Sequence, residues 1–230
     1  MSFDPAAIRA AIIDLDGTMV DTAPDFLVAL NGMRAELELR PIDIETVKRL
    51  VGKGTEHLLR SVLALDLDAA DVERRFSAAH AAYMRHYLAI NGQYSRVYPG
   101  VHEGLQVMRA HGLRLACVTN KPIALARPLL AACGLDAYFG LVYGGDSLPR
   151  KKPDPYPLLQ VCSDFDLTPS QVVAIGDSSN DARAARSAGC TVLTVPYGYN
   201  HGESVQTIES DGIVATLQDA AHLIIASIQH

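Results

Sequence analysis

The sequence predicts an α/β fold, a Rossmann-like doubly wound parallel sheet with an inserted all-helical cap. Two observations carry this. From about residue 97 onward, short apolar runs that read as buried strands alternate with helical stretches, the pattern of a parallel sheet with helices on both faces. Between Thr22 and Ser95, in contrast, no strand pattern occurs, and so much helical chain exceeds the needs of a single strand-to-strand crossover. The expected division is a core of residues 1–17 and 97–230 and a helical cap of residues 18–96.

The elements follow in order. Residues 10–13 are apolar throughout and read as a strand buried on both faces. A helix is expected over 23–38 with Pro24 in its first turn, where a missing N–H costs nothing. Asp43 is an N-cap for a helix over 44–50. The break Val51-Gly52-Lys53-Gly54 follows, and Thr55 restarts a helix to about 65. Asp68 opens a longer one over 69–90, which stops near Asn91-Gly92. Beyond Tyr98-Pro99-Gly100 the periods alternate. Helices are expected over 101–111, 123–133, 156–165, a stretch ending at 188, and 216–228. Strands are expected over 113–118, 141–143, 172–175, 191–195 and, weakly, 213–214. Gly112, Gly134 and Gly189 close the helices they follow.

Composition narrows the function classes. The chain has 230 residues, 49% hydrophobic and 20% charged, which suits a globular protein with a sizeable core. Its formal net charge of -6 does not favour nucleic acid as a partner. No apolar run approaches the roughly 18 residues of a membrane span. Met1-Ser2-Phe3-Asp4-Pro5 lacks the basic and apolar regions of a signal peptide, so a cytoplasmic location is expected. The four cysteines, Cys117, Cys133, Cys162 and Cys190, are far apart and read as buried free thiols.

The first strand ends in Asp14-Leu15-Asp16-Gly17-Thr18, two carboxylates one residue apart. Ligands of open α/β sheets bind at this edge. Two acids so close repel unless a cation or a shared proton separates their roles. The stretch is therefore a metal site, an acid and nucleophile pair, or only a turn that caps the next helix. Counting from Asp14, an EF-hand loop would place Gly where Met19 stands and Glu where Asp25 stands, so calcium binding of that kind is excluded.

Two other strands end on the same rim, one in Thr119-Asn120 and one in Gly176-Asp177-(x)3-Asp181. Lys152 approaches in a loop stiffened by Pro153 and Pro155. Taken singly, Thr119-Asn120 could be an N-cap, Lys152 a solvated lysine, and Asp177 and Asp181 turn acids. Together they suit phosphoryl transfer. Asp14, Asp177 and the Asp16 backbone carbonyl offer oxygen ligands to Mg²⁺, and Asp181 a hold on a metal-bound water. Lys152 and Thr119 would neutralise phosphoryl oxygens. P-loop, GxSxG, HExxH and GxGxxG patterns are absent.

Asp14-x-Asp16-Gly17-Thr18, Thr119-Asn120, Lys152-Pro153 and Gly176-Asp177-(x)3-Asp181 resemble, in order, the four motifs of the haloacid dehalogenase-type phosphatases, over essentially the whole chain. The resemblance implies a Mg²⁺-dependent phosphomonoester hydrolase. In it Asp14 is the nucleophile that becomes an aspartyl-phosphate, and Asp16 is the general acid and then base. Thr119, Asn120 and Lys152 hold the phosphoryl group, and Asp177 binds the metal. Val51-Gly52-Lys53-Gly54, Asp146-Ser147-Leu148-Pro149 and Pro196-Tyr197-Gly198-Tyr199-Asn200 are similar to features of the family's phosphoglycolate phosphatase subgroup, which implies 2-phosphoglycolate as substrate. In the cap, Lys53 and Gly54, ahead of the helix start at Thr55, are the expected contacts for a substrate carboxylate. The Asp16 position disfavours dehalogenases and phosphonoacetaldehyde hydrolases. A sugar phosphomutase, or a phosphatase of another small metabolite, is the alternative. The partner expected is a small phosphate monoester, with neither nucleic acid nor membrane, on a monomer or homodimer.

Overall fold

The computed structural model describes residues 8–226. The N-terminal stretch read for a leader, and the last residues of the helix expected over 216–228, lie outside the described residues. The strands are β1 (Ala10–Ile13), β2 (Val20–Asp21), β3 (Arg96–Val97), β4 (Arg114–Val118), β5 (Leu141–Tyr143), β6 (Val172–Gly176), β7 (Thr191–Thr194) and β8 (Gly212–Ile213). The helices are α1 (Ala23–Glu36), α2 (Ile44–Leu50), α3 (Thr55–Leu63), α4 (Ala69–Ile90), α5 (Val101–Ala110), α6 (Ile123–Ala132), α7 (Tyr156–Asp164), α8 (Ser179–Ala188) and α9 (Leu217–Ala226). None of them is long and apolar enough to cross a membrane.

Six strands form one parallel sheet in the order β5-β4-β1-β6-β7-β8. The chain runs outward from β1 through β4 to β5, then returns to β6 on the other side of β1. That reversal opens a crevice at the carboxyl end of β1, the place where such sheets take ligands. Register makes the crevice chemical: Ile13 lies opposite both Cys117 and Ile175. The residues that follow these three strands therefore emerge side by side.

Strand side chains alternate between faces, and both faces are covered. Ala11, Ile13, Leu115, Cys117, Val173 and Ile175 pack beneath α5, α6 and α9, through residues such as Leu105, Leu129 and Leu217. Ala10, Ile12, Ala116, Val118, Val172 and Ala174 pack on α7 and α8, through Leu158, Val161, Ala182 and Ala185. The cysteines are free, with Cys133 half-buried rather than buried.

Helices α1 to α4 carry a separate apolar cluster that includes Phe26, Leu30, Met33, Val47, Leu59, Val62, Tyr83 and Tyr87. Asp43 and Asp68 cap α2 and α4, accepting from Thr46 N and Asp71 N at 2.8 Å each. The pairing of β2 with β3 is unforeseen. Val20 lies opposite Val97 and Asp21 opposite Arg96 in an antiparallel ribbon that joins the two ends of this helical stretch. Two residues per strand are too few to display a period of two. Beside the ribbon, buried Asp25 accepts from Gly92 N, Tyr94 N and Ser95 Oγ, at 2.7, 2.8 and 2.6 Å.

Candidate active site

A cleft open to solvent at its mouth lies over the carboxyl end of β1. Its floor is Asp14, Asp16, Thr119, Asn120, Lys152, Asp177 and Asp181. Phe26, Val51, Gly52, Gly54, Leu58 and Tyr83 cover it from the helical insert. The residues expected at the site thus meet there, with one exception. Lys53 is exposed on its loop and is not among the lining residues, whereas Gly54 next to it is. A lysine between two glycines meets no packing constraint that would turn it inward, and water solvates its ammonium.

Asp14 sits directly after β1, where its N–H still donates to Ile175 O at 3.0 Å. Lys152 Nζ is 2.8 Å from Asp14 Oδ1, an ionic contact without hydrogen-bond geometry, since that oxygen is buried with no hydrogen-bond partner. The same ammonium donates to Asp181 Oδ1 at 2.7 Å and to Val118 O at 2.6 Å. Burial alone would lower the Lys152 value, but the Asp14 and Asp181 carboxylates outweigh it and hold it above the ordinary lysine range. Lys152 is therefore a fixed cation.

Asp181 is satisfied by the protein. It lies in the first turn of α8, where its Oδ2 accepts from Ser178 N at 3.2 Å and Ser178 Oγ at 2.6 Å, a capping box with Asp in the place of Glu. Asp177 follows β6 and accepts from Thr18 Oγ1 at 2.8 Å and from Tyr199 N. Tyr199 reaches on to the ribbon, donating its hydroxyl to Asp21 and accepting from Ala23 N.

Asp14, Asp177 and Asp181 each offer a carboxylate oxygen, and the three lie within 4.8 Å of one another. Burial, with Asp181 and Asp16 adding and Lys152 opposing, raises the Asp14 carboxyl from 3.8 to about 7. Burial first, then Asp181 and Asp14, hold Asp177 well above the ordinary carboxylate value. Three carboxylates gathered out of water against the single ammonium of Lys152 favour a further cation beside them. Three hard oxygen donors, one each from Asp14, Asp177 and Asp181, fit Mg²⁺.

Asp16 points elsewhere. Its Oδ1 accepts from Thr22 Oγ1 at 2.7 Å and from Lys121 Nζ at 3.0 Å, and its side chain does not join the acidic cluster. Thr119 Oγ1 accepts from Lys121 N at 3.1 Å, and Thr119 N is held by Tyr143 O of β5. Asn120 Nδ2 bridges the loops, donating to Gly52 O at 3.0 Å and Lys152 O at 2.9 Å. Asn180 Nδ2 donates to the same Gly52 carbonyl at 3.3 Å.

Sequence reasoning missed Lys121, Thr22 and Asn180, and it quoted Thr18 and Tyr199 within motifs without giving either a role. Lys121 is the most consequential. Its side chain is 1% exposed, and Nζ donates to Tyr87 Oη at 2.6 Å as well as to Asp16. Nζ also lies over the rings of Phe26 and Tyr87, 4.4 and 4.5 Å from their centroids. Adjacency to Thr119-Asn120 was the one local hint, and a lysine in a polar turn ordinarily reads as solvated.

Comparison with known proteins agrees with this geometry. Residues 8–189 match the model of the haloacid dehalogenase-like hydrolases. The chain is similar to the phosphoglycolate phosphatase of Nitrosospira multiformis, 48% identical over 96% of this chain and 97% of the relative. It is also similar to that of Thiobacillus denitrificans, 44% identical over the same shares. Among solved structures, a predicted phosphoglycolate phosphatase from Haemophilus somnus superposes with a TM-score of 0.90 at 33% identity, over 94% of this chain and 98% of that one.

Proposed function

The chain belongs to the haloacid dehalogenase-like hydrolase family, and from that premise we propose that it hydrolyses 2-phosphoglycolate through an aspartyl-phosphate on Asp14. It is a phosphatase. The observation that carries the finer reading is the division between its first two acids. Asp14 lies in the acidic cluster beside Lys152, whereas Asp16, two residues on, is held apart by Thr22 and Lys121. One carboxylate is set to attack and the other to move a proton.

In this mechanism Asp14 attacks phosphorus while the bond from phosphorus to the substrate's alkoxide oxygen breaks. Asp16 gives its proton to that oxygen, and the alcohol leaves. Asp16 then takes a proton from water as the water attacks the same phosphorus. The acyl phosphate bond breaks, orthophosphate forms and the Asp14 carboxylate returns. Lys152 and the Thr119 hydroxyl bind phosphoryl oxygens. Asp14, the Asp16 carbonyl and Asp177 would hold Mg²⁺, with Asp181 behind it, and the metal supplies charge neutralisation for the transferring group. Residues 1–17 and 97–230 act as the catalytic core, and residues 18–96 as a cap whose apolar side chains limit the leaving group to a small one.

The substrate assignment rests on the names and coverage of the relatives. The test is phosphate release with Mg²⁺ from 2-phosphoglycolate against sugar phosphates and nucleotides. Asp14→Asn is expected to be inactive and to form no phosphoenzyme. Turnover of Asp14→Asn within tenfold of the parent would remove the nucleophile. Isomerisation of a sugar phosphate without net phosphate release would make the chain a mutase.

A further inference from the structure

The steps above use Asp16 but give Lys121, which touches it, no step of its own. A fully buried ammonium normally has a carboxylate and hydrogen-bond acceptors around it. Lys121 has these and an aromatic box besides, and the box belongs to a different part of the chain. Lys121 follows β4, whereas Phe26 and Tyr87 come from α1 and α4, and their rings are themselves 5.2 Å apart. Ring faces carry negative charge and attract a cation. Three sides of the ammonium are thereby occupied by the Phe26 face, the Tyr87 hydroxyl and Asp16 Oδ1.

We infer that Lys121 is a positioning residue for Asp16. Seated by the Phe26 and Tyr87 rings of the helical insert, it fixes the carboxylate that donates and recovers the proton. The inference rests on the acid and base role of Asp16 proposed above. The geometry specifies which oxygen acts. Thr22 Oγ1 and Lys121 Nζ both donate to Oδ1, so Oδ1 is occupied and the mobile proton belongs on Oδ2. In the first half-reaction it moves from Oδ2 to the leaving alkoxide. In the second, Oδ2 takes one proton from the attacking water. Without the ammonium, Thr22 alone would hold Asp16, and the carboxylate could rotate about its χ angles away from the leaving group. Because Lys121 is itself seated by α1 and α4, the helical insert completes the acid as well as covering the cleft. Lys121 lines the cleft, but its ammonium is already engaged by Asp16 Oδ1 and Tyr87 Oη, which suits holding the acid.

The experiment compares Lys121→Met, which keeps the length of the side chain and fills the box, with Lys121→Arg and Tyr87→Phe. On 2-phosphoglycolate, whose alkoxide needs a proton, Lys121→Met is expected to lower kcat about 10²-fold, at the lower end of what a positioned acid contributes, with KM within threefold. With 2,4-dinitrophenyl phosphate, whose leaving group needs none, the pre-steady-state burst of phenolate should stay within threefold of the parent. Steady turnover should be slow, because attack of water on the phosphoenzyme still needs the base. Lys121→Arg should recover part of kcat. Tyr87→Phe, a gentler change, should lower kcat on 2-phosphoglycolate three- to tenfold with the burst intact, and it serves if Lys121→Met does not fold. Equal loss of burst and turnover in the variants that fold would overturn the inference, as would a raised KM for 2-phosphoglycolate with kcat unchanged. Failure of the underlying reading looks different: Asp16→Asn would then show no dependence on the leaving group.

Discussion

The backbone of Gly198 lies against the carboxylate of Asp177, so that a Cβ at Gly198 would stand 2.2 Å from Asp177 Oδ2 and 2.4 Å from its Cγ. Gly17 presses from another side, with its Cβ position 2.4 Å from the same oxygen and a φ of +86° that other residues avoid. Two glycines thus shape the space around one carboxylate of the acidic cluster, the one proposed to bind the metal. Gly198→Ala, which needs no unusual φ, is expected to displace Asp177 and raise the Mg²⁺ concentration for half-maximal activity at least about tenfold, or ~1.4 kcal/mol. A Mg²⁺ titration of activity checks this, and an unchanged midpoint would mean that Asp177 is not a ligand.

Asp177 and Asp181 should separate into metal binding and stability. Both Asp181 oxygens are already engaged by Lys152 and Ser178, and the side chain caps α8. Asp181→Ala is expected to lose about 1–2 kcal/mol, read as several degrees of Tm, with a modest effect on the metal midpoint. Asp177→Ala should shift the midpoint more and leave Tm of the metal-free protein unchanged or higher, since it removes a buried, repelled charge. The reverse ranking would contradict the site.

Stability of the metal-free protein should depend on pH with a defined sign. Asp14 is raised from 3.8 to about 7, and Asp177 is raised as well. A carboxyl raised in the folded state stabilises the fold below its unfolded value, and that stability is lost as pH rises through the folded value. Tm in EDTA is therefore expected to fall by several degrees between pH 5 and pH 8. Mg²⁺ should restore it at pH 8, and Asp14→Asn should flatten the slope. Differential scanning calorimetry decides, and a flat profile in the parent protein would contradict the acidic cluster.

Lys53→Ala should change kcat/KM for 2-phosphoglycolate by less than about twofold, because the exposed side chain lies outside the cleft lining. A tenfold loss would return Lys53 to the site as a contact made only when substrate is bound.

The sequence by itself determined the α/β class, the helical insert, and the rim on which Asp14, Thr119, Asp177 and Asp181 meet. These rest on local signals. Four apolar residues make β1 a buried strand, Asp43 and Asp68 announce helices by their own side chains, and parallel strands with polar ends bring those ends to one edge. Tertiary structure decided the rest. The β2–β3 ribbon pairs residues more than seventy positions apart over two residues per strand, too short to show a period. Lys53 and Lys121 are both lysines in polar turns, yet one is exposed and the other is 1% exposed. Burial of Lys121 depends on an acid 105 residues away and a tyrosine 34 away. Removing an ammonium from water is unfavourable except where a carboxylate and aromatic faces replace the water, and only the packed chain brings them together.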